Sequence, residues 1–208
     1  MNTLIIGATG GIGQALARVL PQPQILVARK AQVLYSLALA QGAYAVSAEV
    51  CNELELAALA QEIAARGGIK TLVYAVGDVK LGGISELARA DFERLWNANV
   101  LGFALVLKHL GAQLLPEARV YALGARPELV TAKHFAAYAS TKAALSSLMR
   151  VAELEYKRPM TLVLPPAVQT PFWERLGMKA PKTAIAPEVV ARAILADLSR
   201  APNAELRI

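Results

Sequence analysis

The sequence is poor in cysteine and in charged residues. Its 208 residues include one cysteine, Cys51, so neither an internal disulfide nor a cysteine-based metal cluster can form. We therefore expect a protein of a reducing compartment with no metal site. Only 18% of the residues are charged and 55% are hydrophobic, a balance that excludes a disordered chain. The length fits one compact domain spanning residues 1–208.

Long apolar runs are also missing. The run at residues 102–107 is ended by Lys108 and is far shorter than the roughly 20 residues that span a bilayer. The first predicted strand starts almost at Met1, which leaves no room for a basic leader, an apolar signal segment and a cleavage site. We therefore expect a cytoplasmic protein with no membrane partner.

The formal charge of +6 requires an anionic partner to be considered. The basic residues, however, stand singly or in pairs such as Arg29-Lys30 and Lys157-Arg158. They form neither the clustered stripe nor the aromatic platform that nucleic-acid binders use. An anionic small-molecule cofactor accounts for the excess better, and we expect no nucleic-acid partner.

Short apolar runs alternate with helical patterns along the whole chain. This alternation indicates right-handed βαβ crossovers, and hence an α/β fold with a doubly wound parallel sheet of about seven strands and helices on both faces. The predicted strands cover residues 3–6, 24–28, 43–46, 71–75, 119–123, 161–164 and 205–208. The predicted helices cover residues 11–20, 31–41, 53–65, 91–115, 135–156 and 187–199.

A glycine-rich segment, GATGGIG, joins the first predicted strand to the first predicted helix. Glycine at Gly7, Gly11 and Gly13 allows a tight turn, close approach of a pyrophosphate and close packing of helix on strand. The helix that follows directs free N–H groups and a partial positive charge at the phosphates. The segment predicts a dinucleotide site, although any sharp strand-to-helix turn also favours glycine.

Arg29 follows the second predicted strand, at the place where such a site meets the adenosine ribose. A carboxylate there would accept a hydrogen bond from the ribose 2′-OH of NAD and repel a 2′-phosphate. An arginine instead pairs with that phosphate through charge-assisted hydrogen bonds. The sequence therefore favours NADP(H) over NAD(H). The alternative is a surface arginine at the start of a helix.

Tyr138 and Lys142 lie four residues apart in the long helical pattern at residues 135–156, and hence on one face. A free tyrosine, with a pKa of about 10, holds its proton too firmly for acid/base work at neutral pH. A nearby ammonium group stabilises the phenolate and lowers this pKa. Tyr138 is therefore a candidate for proton transfer to a substrate oxygen, although a packed ring beside a surface lysine gives the same spacing.

These motifs occur together with residues 96–102 (WNANVLG) and residues 165–170 (PPAVQT), in the order and spacing of the short-chain dehydrogenase/reductase family. The chain resembles this family over nearly its whole length. The resemblance implies a single Rossmann-type domain that transfers a hydride between NADP(H) and a small-molecule carbonyl or alcohol.

The resemblance also implies roles for individual residues. Tyr138 would be the acid/base, Lys142 would bind the nicotinamide ribose and lower the pKa of the tyrosine, and Asn99 would hold a water in the proton relay. Thr170 would meet the nicotinamide carboxamide, and Glu49 with Val50 would lie near the adenine. The full set expected to contact the cofactor is Gly7, Thr9, Gly11, Ile12, Gly13, Arg29, Glu49, Val50, Ala75, Gly77, Tyr138, Lys142 and Thr170.

The chain departs from the family pattern at the end of the fifth predicted strand. Family members usually carry a serine there, about 13 residues before the tyrosine, whereas this chain has Gly124 and Ala125. The loss of one such donor typically costs about 3 kcal/mol of transition-state stabilisation. Thr131 and His134 are the nearest candidates to replace it.

A second departure follows the fourth predicted strand. Residues 73–77 read VYAVG where the family tends to have NNAG. We expect this change to remove side-chain hydrogen bonds that brace the central sheet, while Gly77 is kept beside the cofactor.

Two hypotheses from different classes remain open. The first is an NADP(H)-dependent oxidoreductase, favoured because Asn99, Tyr138 and Lys142 are all present. The second is a binding or sensor protein that holds NADP(H) without chemistry, favoured by the missing serine. The sequence leaves open which carbonyl or alcohol is the substrate and whether the chain forms a homo-oligomer.

Overall fold

The computed structural model describes residues 2–208, which form a seven-stranded parallel sheet with the strand order β3-β2-β1-β4-β5-β6-β7. The strands are β1 (Asn2–Ile6), β2 (Gln24–Ala28), β3 (Tyr44–Ser47), β4 (Ile69–Tyr74), β5 (Leu114–Leu123), β6 (Met160–Leu164) and β7 (Glu205–Arg207). This order reverses direction between β1 and β4, and ligands of doubly wound sheets bind at the carboxyl ends of the strands beside that point.

Nine α-helices connect these strands within residues 2–208. They are α1 (Gly11–Val19), α2 (Ala31–Gln41), α3 (Glu53–Ala65), α4 (Arg89–Trp96), α5 (Gly102–Leu110), α6 (Pro127–Val130), α7 (Ala136–Tyr156), α8 (Phe172–Arg175) and α9 (Pro187–Leu198). In the described part of the chain, no helix has both the length and the apolar character needed to cross a membrane.

The two faces of the sheet carry separate hydrophobic cores. Leu4 and Ile6 of β1 pack with α3, α5 and α7, whereas Ile5 between them packs with α1, α2 and α9. All five residues of β1 are buried, as are those of β2 and β6, which is why these strands read as continuous apolar runs. The predicted α/β class with helices on both faces is confirmed.

The single helix predicted over residues 91–115 is wrong. The chain forms α4, a π-helical turn at Asn97–Leu101, α5 and a 3₁₀ turn at Gly111–Gln113, and it enters β5 at Leu114. The helix ends here because Pro116 disfavours helical backbone in the residue before it. Gly111 also packs so closely under the Tyr156 ring that a Cβ atom there would lie 2.1 Å from a ring carbon.

Other differences are small. The sequence reading missed the short helices α6 and α8, which have only four residues each and therefore show no helical period. β3 is shifted by one residue and is half-exposed at the edge of the sheet, and β4 ends one residue before Ala75. β5 starts at Leu114, five residues before the predicted start at residue 119, and the remaining helix and strand bounds agree with the predictions to within two residues.

Candidate active site

The glycine loop between β1 and α1 lies at the carboxyl end of β1. Gly7 has φ = +87°, and a Cβ atom there would lie 2.8 Å from the carbonyl carbon of Ala75. A Cβ atom on Gly13 would lie 2.1 Å from the Gly7 carbonyl oxygen. The N-cap residue of α1 is Gly10, which has no side chain to accept hydrogen bonds from the first-turn N–H groups. The loop thus leaves a helix N-terminus open to an anionic group, which fits a dinucleotide pyrophosphate.

Gly11 meets the segment that follows β6. A Cβ atom on Gly11 would lie 2.6 Å from Cγ2 of Thr170, so the glycine is needed for close packing against this side chain. Thr9 and Ile12, on the same loop, are half-buried, and the Thr9 carbonyl accepts a hydrogen bond from Gln14 Nε2 (3.1 Å). The structure therefore brings the predicted phosphate and carboxamide residues together.

Arg29 and Glu49 form an ion pair at the carboxyl ends of β2 and β3. Arg29 Nη1 lies 3.1 Å from Glu49 Oε2, and the Arg29 side chain is 75% exposed. The exposed guanidinium is accessible to a ribose phosphate, but the Glu49 carboxylate already neutralises part of its positive charge. Val50 is buried in the core, and Gly102 packs against it. A contact between Val50 and an adenine would therefore come from its main chain.

Lys142, Asn99 and Gly77 converge at the carboxyl ends of β4 and β5. A Cβ atom on Gly77 would lie 3.4 Å from Asn99 Oδ1 and 3.6 Å from Lys142 Nζ. Lys142 is 6% exposed, and its Nζ donates a hydrogen bond to the Leu123 carbonyl (2.8 Å). Because Gly77 itself is exposed, the buried ammonium and amide lie beside an open position in the cleft.

The fully buried Asn99 joins the β4–α4 loop to α7. Its Oδ1 accepts from the Asp78 N–H (2.8 Å), and its Nδ2 donates to the Asp78 carbonyl (2.9 Å) and to Thr141 Oγ1 (2.9 Å). Thr141 Oγ1 donates in turn to the Tyr138 carbonyl (2.8 Å). Both N–H groups of the Asn99 amide are therefore occupied, and its Oδ1 keeps one further lone pair.

Tyr74 braces the sheet, contrary to the expectation that its segment had lost this function. The ring is fully buried, and the hydroxyl donates to the Ala98 carbonyl (2.8 Å). Ala98 lies in the π-helical turn, directly before Asn99. The hydrogen bond thus ties β4 to the turn that carries Asn99. A buried tyrosine at the end of β4 was the sequence signal for this contact.

Tyr138 is not activated by Lys142 in the way the sequence suggested. Burial raises the pKa of Tyr138 to about 12, and burial also lowers the pKa of Lys142 from 10.5 to about 8. The physical reason is that protein atoms surround both groups, which disfavours the charged form of each. Lys142 Nζ is 5.7 Å from the centroid of the Tyr138 ring and bonds to Leu123 instead.

Two further aromatic rings flank Tyr138 and a third lies beyond them, an arrangement that the spacing along the chain did not reveal. Phe135 and Phe172 have centroids 6.3 and 6.0 Å from that of Tyr138, and Trp173 lies 5.4 Å beyond Phe172. Phe172 follows Thr170 by two residues, so the segment that packs on Gly11 also reaches Tyr138. The phenol and the ammonium therefore lie at the same strand ends as the glycine loop.

Gly124, directly after β5, packs against a side chain of β6. A Cβ atom there would lie 2.8 Å from Cδ1 of Leu162. Thr131 and His134, the candidate replacements, are both exposed. His134 has φ = 70°, and its carbonyl accepts a hydrogen bond from Gly82 (3.0 Å), so it joins two loops. Neither residue is placed as a donor by these contacts.

Comparisons with known proteins agree with this arrangement. Residues 1–180 match the family described as short chain dehydrogenase. A short-chain dehydrogenase/reductase of Armillaria gallica is 26% identical over 189 residues, which cover 82% of this chain and 72% of that protein. The crystal structure of a short-chain oxidoreductase from Thermus thermophilus is 38% identical and has a TM-score of 0.88, with 97% of this chain and 98% of that chain covered.

A short-chain dehydrogenase of Sphingobium yanoikuyae, solved in complex with NADPH, has the same fold at 23% identity. Its TM-score is 0.85, with 99% of this chain and 86% of that chain covered. The family match extends over most of the chain and includes the glycine loop, Tyr138 and Lys142. This chain belongs to the short-chain dehydrogenase/reductase family.

Proposed function

We propose that residues 1–208 act as one dinucleotide-binding unit that reduces a small-molecule carbonyl compound with NADP(H), or oxidises the corresponding alcohol. The observation that carries this proposal is the convergence of Tyr138, Lys142 and Asn99 at the strand ends that also hold the glycine loop. Family membership supports oxidoreductase chemistry, and the proposed details concern the cofactor and the residues.

The preference for NADP(H) rests on Arg29. Arg29 occupies the position after β2 where an NAD site would carry an acidic residue. Its guanidinium is exposed and lies 3.1 Å from the Glu49 carboxylate. A 2′-phosphate carries more negative charge than one carboxylate and accepts bidentate hydrogen bonds from a guanidinium. The phosphate can therefore compete with Glu49 for Arg29.

In the reductive direction, NADPH held by the glycine loop and Lys142 would supply a hydride to the carbonyl carbon. The Tyr138 hydroxyl gives its proton to the carbonyl oxygen as the C=O π bond breaks, and an alcohol results. Because burial raises its pKa, Tyr138 is protonated at neutral pH and can act as the acid in the reductive direction, since the alkoxide that forms is a stronger base than a phenolate. Lys142 and Asn99 hold the site together through Leu123, Asp78 and Thr141.

A spectrophotometric assay of NADPH oxidation over a panel of ketones, aldehydes and quinones tests the proposal. We expect turnover in the unmodified protein and a loss of about 10²-fold to 10⁴-fold in kcat/KM for Tyr138→Phe, which keeps the ring but removes the proton. Tyr35→Phe, on the exposed surface of α2, is the matched control. No turnover on any substrate, or full activity in Tyr138→Phe, would count against the proposal.

The second candidate is a sensor that binds NADP(H) without chemistry. The absence of a hydroxyl at Gly124 and Ala125 favours it. Calorimetric titration separates the two functions: tight NADPH binding without hydride transfer to any member of the panel supports the sensor.

A further inference from the structure

The aromatic cluster formed by Phe135, Tyr138, Phe172 and Trp173 does not belong to the hydrophobic core. Phe135, Phe172 and Trp173 are half-buried, and in residues 2–208 none of them joins either core cluster. Aromatic side chains bury large areas, so rings that are left partly exposed side by side offer apolar surface to a ligand.

The rings meet edge to face. The interplanar angles are 65° for Phe135 on Tyr138, 62° for Tyr138 on Phe172 and 76° for Phe172 on Trp173. The quadrupole of an aromatic ring favours this arrangement, with a positive edge against a negative face. The aromatic ring of a ligand can make the same edge-to-face contact with these side chains, whereas a saturated ring is stabilised only by the burial of its apolar surface.

Specific contacts hold α8 in place over Tyr138. Trp173 Nε1 donates to the Val168 carbonyl (2.9 Å), and Arg175 Nη1 lies 3.6 Å from Asp78 Oδ1. The guanidinium of Arg94 pairs with the other oxygen of Asp78. The rings of α8 are thus tied both to the end of β6 and to the loop after β4, so the aromatic cluster is preorganised.

A cavity lies next to the chain segment that carries Phe135, although none of the four rings lines it. It measures about 570 Å³ and lies between residues 82–85 and the loop before α7. Its lining includes His134 and Ala136, the two neighbours of Phe135 along the chain. Cavities of this size accommodate small organic ligands.

We propose that the carbonyl substrate is an aryl compound, whose flat ring packs against Phe135, Phe172 and Trp173 while its carbonyl oxygen meets the Tyr138 hydroxyl. This inference rests on the proposed oxidoreductase function and adds the substrate class to it. Phe172 is then a residue that determines specificity.

Two pairs of compounds, each an aromatic ring and a saturated ring with the same carbon skeleton, separate the effect of ligand aromaticity from that of ligand size. Acetophenone and cyclohexyl methyl ketone have the same carbon skeleton and differ in the ring, and both can be assayed with NADPH. We expect Phe172→Leu to lower the ratio of their kcat/KM values, acetophenone over cyclohexyl methyl ketone, by about threefold to tenfold. Tyr35→Leu, an exposed aromatic of α2, should leave the ratio unchanged. Phe135→Leu serves as a second variant should α8 be disturbed.

Benzamide and cyclohexanecarboxamide provide a binding test without turnover. We expect calorimetry on the NADPH-loaded protein to show tighter binding of benzamide, with the preference reduced in Phe172→Leu. Turnover with an unchanged ratio in both leucine variants overturns the aryl inference and leaves the oxidoreductase proposal standing. A preference for benzamide without turnover of any ketone would instead contradict the oxidoreductase proposal and leave the preference of the site for aryl compounds standing.

Discussion

Replacing Lys142 with methionine removes a positive charge that the fold keeps buried. The side chain is 6% exposed, and burial lowers its pKa from 10.5 to about 8. Because one pKa unit is about 1.4 kcal/mol, this difference corresponds to about 3 kcal/mol of unfavourable free energy for the charged form. The lost hydrogen bond to Leu123 costs about 1 kcal/mol. We therefore expect Lys142→Met to be about 2 kcal/mol more stable at pH 7 and inactive.

The pH dependence identifies the cause. At pH 7 the lysine is protonated in both the folded and the unfolded chain, so the whole penalty is present. As the pH rises above 8, the folded protein releases the proton while the unfolded chain keeps it until about 10.5, so the unmodified protein gains stability relative to the variant. The advantage of the variant should fall by about 1 kcal/mol between pH 7 and pH 9.

Urea unfolding at pH 7 and at pH 9 measures both quantities. Lys70→Met is the matched control, because Lys70 lies exposed on β4 and the substitution makes the same change in net charge. The reasoning is refuted if Lys142→Met is less stable than the unmodified protein at pH 7 and the difference does not change with pH.

Three further substitutions test other parts of the account. Arg29→Asp should weaken NADPH binding by about tenfold or more and shift the preference toward NADH, measured by calorimetry, because it removes the guanidinium and places a second carboxylate beside Glu49. Equal affinities of the unmodified protein for NADPH and NADH would remove the role of Arg29. Asp197→Ala should destabilise the fold by about 3 to 5 kcal/mol in urea unfolding, because it removes the carboxylate that lies 2.7 Å from the buried guanidinium of Arg119 and leaves that charge with main-chain carbonyls only. A loss below about 1 kcal/mol would show that the pair is solvated. Tyr74→Phe should cost about 1 kcal/mol, since it removes the hydrogen bond to the Ala98 carbonyl of the π-helical turn, and an unchanged midpoint would show that the hydrogen bond contributes nothing.

The parts of the fold that sequence reading predicted are those with a strong local signal. Buried parallel strands such as β1 and β6 are continuous apolar runs, and the glycine loop has a backbone requirement at Gly7 that few residues meet. The π-helical turn was missed because no local pattern marks it. Tyr74 reaches it from β4, 24 residues away in the chain, and no periodicity at residues 97–101 records that contact.

The sequence named the residues of the candidate site but not their contacts. Arg29 and Glu49 were expected at the adenosine end of the cofactor, and their ion pair follows only from the side-by-side placement of β2 and β3. The direction of the Tyr138 pKa was wrong because helical spacing brings an ammonium near a phenol without showing how far both are buried. The aromatic cluster joins residues 135 and 138 to residues 172 and 173, which only the fold brings together.

Transfer of deuterium tests the central claim, that Tyr138 and Lys142 serve NADPH-dependent carbonyl reduction. Acetophenone is incubated with the protein and NADPH deuterated at the hydride-donating carbon, and the alcohol product is analysed by mass spectrometry. The account predicts one deuterium on the carbinol carbon with the unmodified protein and about 10²-fold less product, or a larger loss, with Tyr138→Phe. The account is contradicted if Tyr138→Phe forms the deuterated alcohol as well as the unmodified protein does. It is also contradicted if NADPH binds but transfers no deuterium to acetophenone or to any other carbonyl compound of the panel.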